Sequence, residues 1–178
     1  MVVSDYIAQW LAEKGITHAF GIIGAGNAAI FDAVYRYGST QIVACHHEQA
    51  ATMAIQAYWR TCGKLAVAIV TTGGGSANAV TGVVSAWMDS IPIMVISGNE
   101  ARDHCETNWR GWGVQGFDSV AMVSGVTKWA KRIYVPRQVR RYLEEAYETS
   151  NDQRPGPVWL DIPRDIQSLQ IPDDEPMV

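Results

Sequence analysis

Leu65-Ala66-Val67-Ala68-Ile69-Val70 is a run of six consecutive apolar residues with no polar alternation. A strand that is apolar on both faces must be covered on both faces, which is the position of a central strand in a parallel sheet. The run ends in Thr71-Thr72-Gly73-Gly74-Gly75-Ser76, and a small-residue helical pattern follows from about Asn78 to Met88. Strand, tight turn and helix in that order form the repeating unit of a parallel α/β sheet.

The rest of the chain repeats the alternation. Thr17–Ile23, Gln41–Ala44, Ile91–Ser97, Thr127–Ile133 and Val158–Ile162 read as strands, the one near Thr127 as an edge. Helical patterns begin at Ser4 or Asp5, which can cap the first, after Gly24-Ala25-Gly26-Asn27, at Ala50–Trp59, in a short piece at Phe117–Val123, and after Pro136. The expected fold is α/β: a doubly wound, mostly parallel sheet with helices on both faces. One domain is expected over residues 1–168, with 169–178 as a linker or tail rich in Pro and Asp. Gly98–Gly116 reads as a long irregular loop, of the kind that is functional or ordered by a partner.

Composition narrows the function. Net charge is −4 with no basic run, which argues against nucleic acid or an anionic membrane as partner. No apolar window approaches the roughly 18 residues of a membrane span, and no signal peptide is evident. Cys45, Cys62 and Cys105 are widely spaced, as expected of reduced thiols in a cytoplasmic protein. Only 18% of residues are charged and Trp occurs 7 times, which implies extensive buried surface, from a large core or a subunit interface.

The centre of chemical interest is Cys45-His46-His47-Glu48-Gln49-Ala50-Ala51, where a strand hands over to a helix. Ligands of open α/β sheets bind at such carboxyl ends of strands. Contiguity argues against a metal here, because neighbours on an extended chain point to opposite faces. Two readings of the glycine turns remain from spacing alone. Gly24-x-Gly26-x-x-Ala29 with Glu48 further on fits a dinucleotide site for NAD(P), although Glu48 falls past the end of its strand. The Gly73 turn fits either a phosphate loop or a tight turn that brings helix and sheet together; it lacks the Lys-Ser/Thr ending of a nucleotide hydrolase.

More specific marks follow in order: His47-Glu48-Gln49-Ala50-Ala51, Gly63-Lys64, Thr72-Gly73-Gly74-Gly75-Ser76-Ala77-Asn78, Thr81-Gly82, Met88-Asp89-Ser90-Ile91-Pro92, Arg154-Pro155-Gly156-Pro157-Val158 and Asp161-Ile162-Pro163. From Ser4 to Gln167 the chain resembles the N-terminal, pyrimidine-binding domain of thiamine diphosphate enzymes of the acetolactate synthase and pyruvate decarboxylase type. The resemblance implies a lyase or carboligase component acting on a 2-keto acid. It implies that Glu48 bonds N1′ of the aminopyrimidine and so activates the cofactor by relayed acid–base work. Gly24 would face the reactive end of the cofactor, and Gly73, Gly75 and Asn78 would line the pyrimidine. Gln115 matches the Phe-Gln pair that approaches the active centre in acetolactate synthases; a loop-ordering hydrogen bond is the alternative. His47 would orient Glu48 or substrate, or simply be packed.

Departures from the pattern bear on substrate. Ile23 and Gly74 stand where the family usually has Pro, and Val114 and Gly116 flank Gln115 in place of Phe and Glu. A Gly-Asp-Gly run followed by the family's Asn is absent, so the resemblance implies that diphosphate and Mg²⁺ belong to a separate diphosphate-binding domain or subunit. The chain is then expected to be half of an active site, in a homodimer or an α2β2-type oligomer, either as a domain or as the α subunit of a split decarboxylase of the sulfopyruvate type. The resemblance leaves FAD undecided, since acetolactate synthases hold it largely through a middle domain.

Overall fold

The computed structural model describes residues 1–105 and 109–172. In chain order the elements are α1 Val3–Glu13, β1 His18–Gly21, α2 Ala28–Tyr37, β2 Gln41–Ala44, α3 Glu48–Cys62, β3 Val67–Val70, α4 Gly74–Asp89 and β4 Met94–Asn99. Then come the single-turn α5 Arg102–Cys105, α6 Ser119–Val123 with a 3-10 turn Ser124–Val126, β5 Trp129–Arg132, α7 Gln138–Asn151, β6 Val158–Pro163 and α8 Arg164–Gln167. The six strands form one sheet in the order β2-β1-β3-β4-β6-β5, and every pairing is parallel.

Burial follows the sheet order. β3, β4 and β6 are buried at every residue, whereas the edge strands β2 and β5 are mostly half-buried or exposed. Side chains of the central strands alternate between two cores. Val67, Ile69, Met94, Ile96, Leu160 and Ile162 pack with α1, α2, α7 and α8. Ala68, Val70, Ile93, Val95 and Trp159 pack with α3, α4 and α6. The chain is therefore a doubly wound parallel α/β sheet covered on both faces.

Several boundaries differ from the sequence expectation, each for a tertiary reason. Neither Ser4 nor Asp5 caps α1: Ser4 is buried within the helix, and the first amide, Val3 N–H, donates to Leu169 O at 3.0 Å. Ile171 N–H donates to Met1 O at 2.9 Å, and the Ile171 side chain is buried. Residues 169–171, assigned to the tail, are thus packed against the N-terminus; 173–178 lie outside the described residues. The Gly98–Gly116 segment is not wholly irregular, because Gly98 and Asn99 extend β4 beside Ile162 and Pro163. Of the seven tryptophans Trp10, Trp112 and Trp159 are buried, Trp59 and Trp129 pack half-buried against the cores, and Trp87 and Trp109 are exposed.

Helices α3 and α4 approach unusually closely. A Cβ on Gly82 would lie 2.1 Å from Thr52 Oγ1. That hydroxyl is itself held between helices, donating to Glu48 O and Ala79 O, each at 3.2 Å. Gln56 Nε2 adds a bond from α3 to Gly82 O at 2.8 Å.

Two stability predictions follow from these helices. Gly82→Ala forces them apart and is expected to lower stability by about 1–3 kcal/mol, the range of overpacked cores; a denaturant titration checks it. Gly74 is the first residue of α4 and a Cβ there meets nothing within 4 Å. Proline suits that position, so Gly74→Pro is expected to stabilise by about 0.4–1 kcal/mol in the same titration.

Candidate active site

After β2 the chain continues extended through His47 (φ −156°, ψ 141°), whose ring Nδ1 accepts from Gln49 N–H at 3.2 Å and caps α3. Glu48 is consequently the first helical residue, two positions earlier than the apolar pattern suggests. A carboxylate there is favoured by the amide dipoles of the helix start. The side chain does not face water, however: Glu48 is only 7% exposed and is turned toward the start of α4. Its Oε2 accepts from Asn78 Nδ2 at 3.0 Å. Its Oε1 lies 3.1 Å from the place a Cβ on Gly75 would occupy, and takes no hydrogen bond among the described residues. A buried carboxylate with one anchored and one unbonded oxygen is poised to bond a ligand's N–H.

The glycine turns converge on the same place. Gly73 has φ +67° and ψ −126°, which only glycine adopts without strain, and ends the turn before α4. A Cβ on it would meet Gln115 O at 2.5 Å and Gln115 Cγ at 2.8 Å. Gln115 Nε2 donates to Thr72 O at 3.3 Å, so this distant loop residue lies directly on the Gly73 turn. Gly24, after β1, abuts Thr71, where a Cβ would come within 2.6 Å of Oγ1. Gly75 abuts the same threonine, its Cβ position lying 2.6 Å from Thr71 Cγ2. The structure thus brings Gly24, Glu48, Gly73, Gly75, Asn78 and Gln115 into one patch, at the carboxyl ends of β1, β2 and β3. That is where the strand order reverses between β1 and β3, the usual ligand crevice of such sheets.

One N–H of the Asn78 amide is given to Glu48, which orients the carboxyl group. In the sequence Thr71 and Thr72 read as residues of the glycine turn, yet Thr71 is the post around which Gly24, Gly26 and Gly75 pack. Their signal was available: β-branched hydroxyl residues at a strand end, immediately before a glycine run. His46 and His47 are exposed, and His47 acts as a cap. Burial holds the Cys45 thiol above its ordinary pKa, keeping it protonated at the edge of the patch.

Two amides of the first glycine turn are already bonded. Gly24 N–H donates to Asn27 Oδ1 at 2.7 Å and Gly26 N–H to Thr71 Oγ1 at 3.1 Å. Ile23 and Val114, which neighbour Gly24 and Gln115 in the chain, are 64% and 94% exposed. Clefts of about 670 Å³ beside Arg102, Tyr134 and Asp165 and about 520 Å³ beside Lys14, Trp59 and Tyr147 both lie away from the Glu48 patch.

Comparison with known proteins identifies the family. Residues 1–122 match the family described as thiamine pyrophosphate enzyme, N-terminal TPP binding domain. The acetolactate synthase large subunit of Lactococcus lactis subsp. lactis is 32% identical over 168 residues, covering 94% of this chain and 28% of that protein. Acetolactate synthase isozyme 2 large subunit of Escherichia coli is 35% identical over 173 residues, 95% of this chain and 30% of that protein. The mitochondrial acetolactate synthase of Schizosaccharomyces pombe is 32% identical over 168 residues, with 94% and 24% covered. The chain spans less than a third of the length of each of these relatives. It belongs to the thiamine pyrophosphate enzymes, in the family of their N-terminal TPP-binding domains.

Proposed function

We propose that this chain is the pyrimidine-binding half of a thiamine diphosphate-dependent 2-keto acid decarboxylase or carboligase. The observation that carries the reading is Glu48: a carboxyl group withdrawn from water, fixed through Oε2 by Asn78, with Oε1 unbonded above the bare backbone of Gly75. A flat heteroaromatic ring fits such a place, since Gly73 and Gly75 present no side chain between it and the main chain. When bound, thiamine diphosphate supplies a nucleophilic carbon and an electron sink for cleaving the bond next to a keto group.

Each residue then has a definite task. Glu48 holds and exchanges a proton with the ring nitrogen N1′, the acid–base work that makes the cofactor reactive. Asn78 fixes the carboxyl orientation. Gly24 borders the reactive side across Thr71, and Gln115 borders the Gly73 turn where substrate would enter. Ile23 and Val114 offer apolar contacts at the rim, where acetolactate synthases generally carry Pro and Phe. The acceptor therefore need not be a second pyruvate.

The exposure of Ile23 and Val114, beside Gly24 and Gln115, supports a second wall supplied from outside these residues. We infer a diphosphate-binding domain or subunit that holds the phosphates and Mg²⁺ and closes the crevice over Glu48, in a homodimer or an α2β2 assembly. The cysteines Cys45, Cys62 and Cys105 are all free thiols, which supports a reducing, cytoplasmic setting. No described helix is long and apolar enough to cross a membrane.

The test uses Glu48→Gln, which keeps the shape but removes the exchangeable acid. With the diphosphate-binding module supplied, deuterium exchange at the cofactor's C2 position is expected to slow by about 10²–10⁴-fold, the usual contribution of general acid–base catalysis. Exchange at the unaltered rate refutes the assignment of Glu48.

A further inference from the structure

Gln115 is carried by a segment without regular secondary structure, so something else must fix it on the Gly73 turn. The segment is pinched by a two-residue antiparallel bridge: Trp112 N–H donates to Gly116 O at 2.8 Å, and Gly116 N–H to Trp112 O at 2.7 Å. The Trp112 indole is buried, and beneath it lies the guanidinium of Arg132, with Cζ 4.5 Å from the ring centroid. Arg132 ends the edge strand β5 and is itself 6% exposed.

The guanidinium is gripped on its polar edges. Nη2 donates to Asp118 Oδ1 at 2.9 Å and to Asp161 Oδ2 at 3.4 Å, and Nε stands 3.3 Å from Asp161 Oδ1. Asp161 is fully buried in β6. Its Oδ2 also accepts from Ser119 Oγ and from Asn99 Nδ2, the latter at 2.7 Å. Asn99 Oδ1 in turn accepts from Thr72 Oγ1 at 3.1 Å, one residue before Gly73. Two arms therefore leave Arg132 and meet again at the glycine turn. One runs through Trp112 to Gln115, the other through Asp161 and Asn99 to Thr72.

A buried ion pair is weak evidence for stability, because apolar residues of similar volume often replace such pairs without loss. What apolar residues cannot supply is a flat cation with fixed edges, which sets both the height and the angle of a ring stacked on it. The geometry points to Arg132 as a positioning residue that, through Trp112, sets Gln115 against the Gly73 turn. Its relevance to catalysis rests on the reading of that turn as a wall of the cofactor crevice, but the coupling itself is a property of this chain alone.

Amide hydrogen exchange of the 178-residue chain, without cofactor or partner, tests the coupling. Trp112→Leu removes the stacked ring and leaves the Arg132–Asp161 pair in place; exchange across residues 111–117 is expected to rise about tenfold, with β4 and β6 unchanged. Arg132→Lys keeps the charge but loses the plate and is expected to open the same segment. Trp112→Phe restores an aromatic face and is expected to return exchange to within about twofold of the parent, which a general loss of packing would not do. Unchanged exchange at 111–117 in either Trp112→Leu or Arg132→Lys overturns the proposal. So does an equal rise in β4 and β6, or the absence of rescue by Phe. These outcomes are independent of whether Glu48 serves the cofactor.

Discussion

The close contact between α3 and α4 is the constraint on which the site depends. Glu48 opens α3 and Asn78 stands one turn into α4, and a hydrogen bond between them requires the N-terminal ends of the two helices to lie side by side. Gly82 allows that approach by having no side chain where Thr52 must lie. Thr52 and Gln56 then tie the pair together with bonds across the contact. Small residues in a helix weaken it locally. Here they trade helix propensity for the distance between a carboxyl group and an amide.

The same contact explains why Glu48 is buried although it opens a helix at the edge of the sheet. β2 lies at the edge, and a carboxylate after an edge strand would ordinarily be solvated. The α4 start, with Gly75 and Asn78, covers it on one side. Ile23 and Val114, beside Gly24 and Gln115 in the chain, are exposed. A buried acid next to bare glycine backbone and an exposed apolar rim fits a crevice made by two modules, in which the glycine backbone forms one wall. The belonging of the chain to the thiamine pyrophosphate enzymes, and its span of under a third of its relatives' length, accord with that arrangement.

Much of this was legible in the sequence. The apolar run of Leu65–Val70 announced a doubly covered strand, and Val67–Val70 is buried at every residue. Glu48 and the Gly73 turn were recognisable from ordered motifs rather than from any one of them. Helix starts were the weak point. α4 begins at Gly74 and not near Asn78, because glycine's poor propensity is overridden by packing on Thr71 and α3. The Trp content reads as a large core or a subunit interface; Trp10 and Trp159 fill the core, while Trp87 and Trp109 are exposed. Gln115 could be named as a site residue from the family pattern, yet nothing in its flanking residues revealed that Arg132 and Trp112 underlie it. Contacts of that kind join positions far apart in the chain and leave no local periodicity to read.

A crystal structure of this chain assembled with a diphosphate-binding module and thiamine diphosphate tests the central claim most directly. The account predicts Glu48 Oε1 within about 2.6–3.2 Å of N1′, with Asn78 still donating to Oε2 and the pyrimidine lying against Gly73 and Gly75. A cofactor ring seated elsewhere, or Glu48 turned away from it to bulk water, would contradict the account.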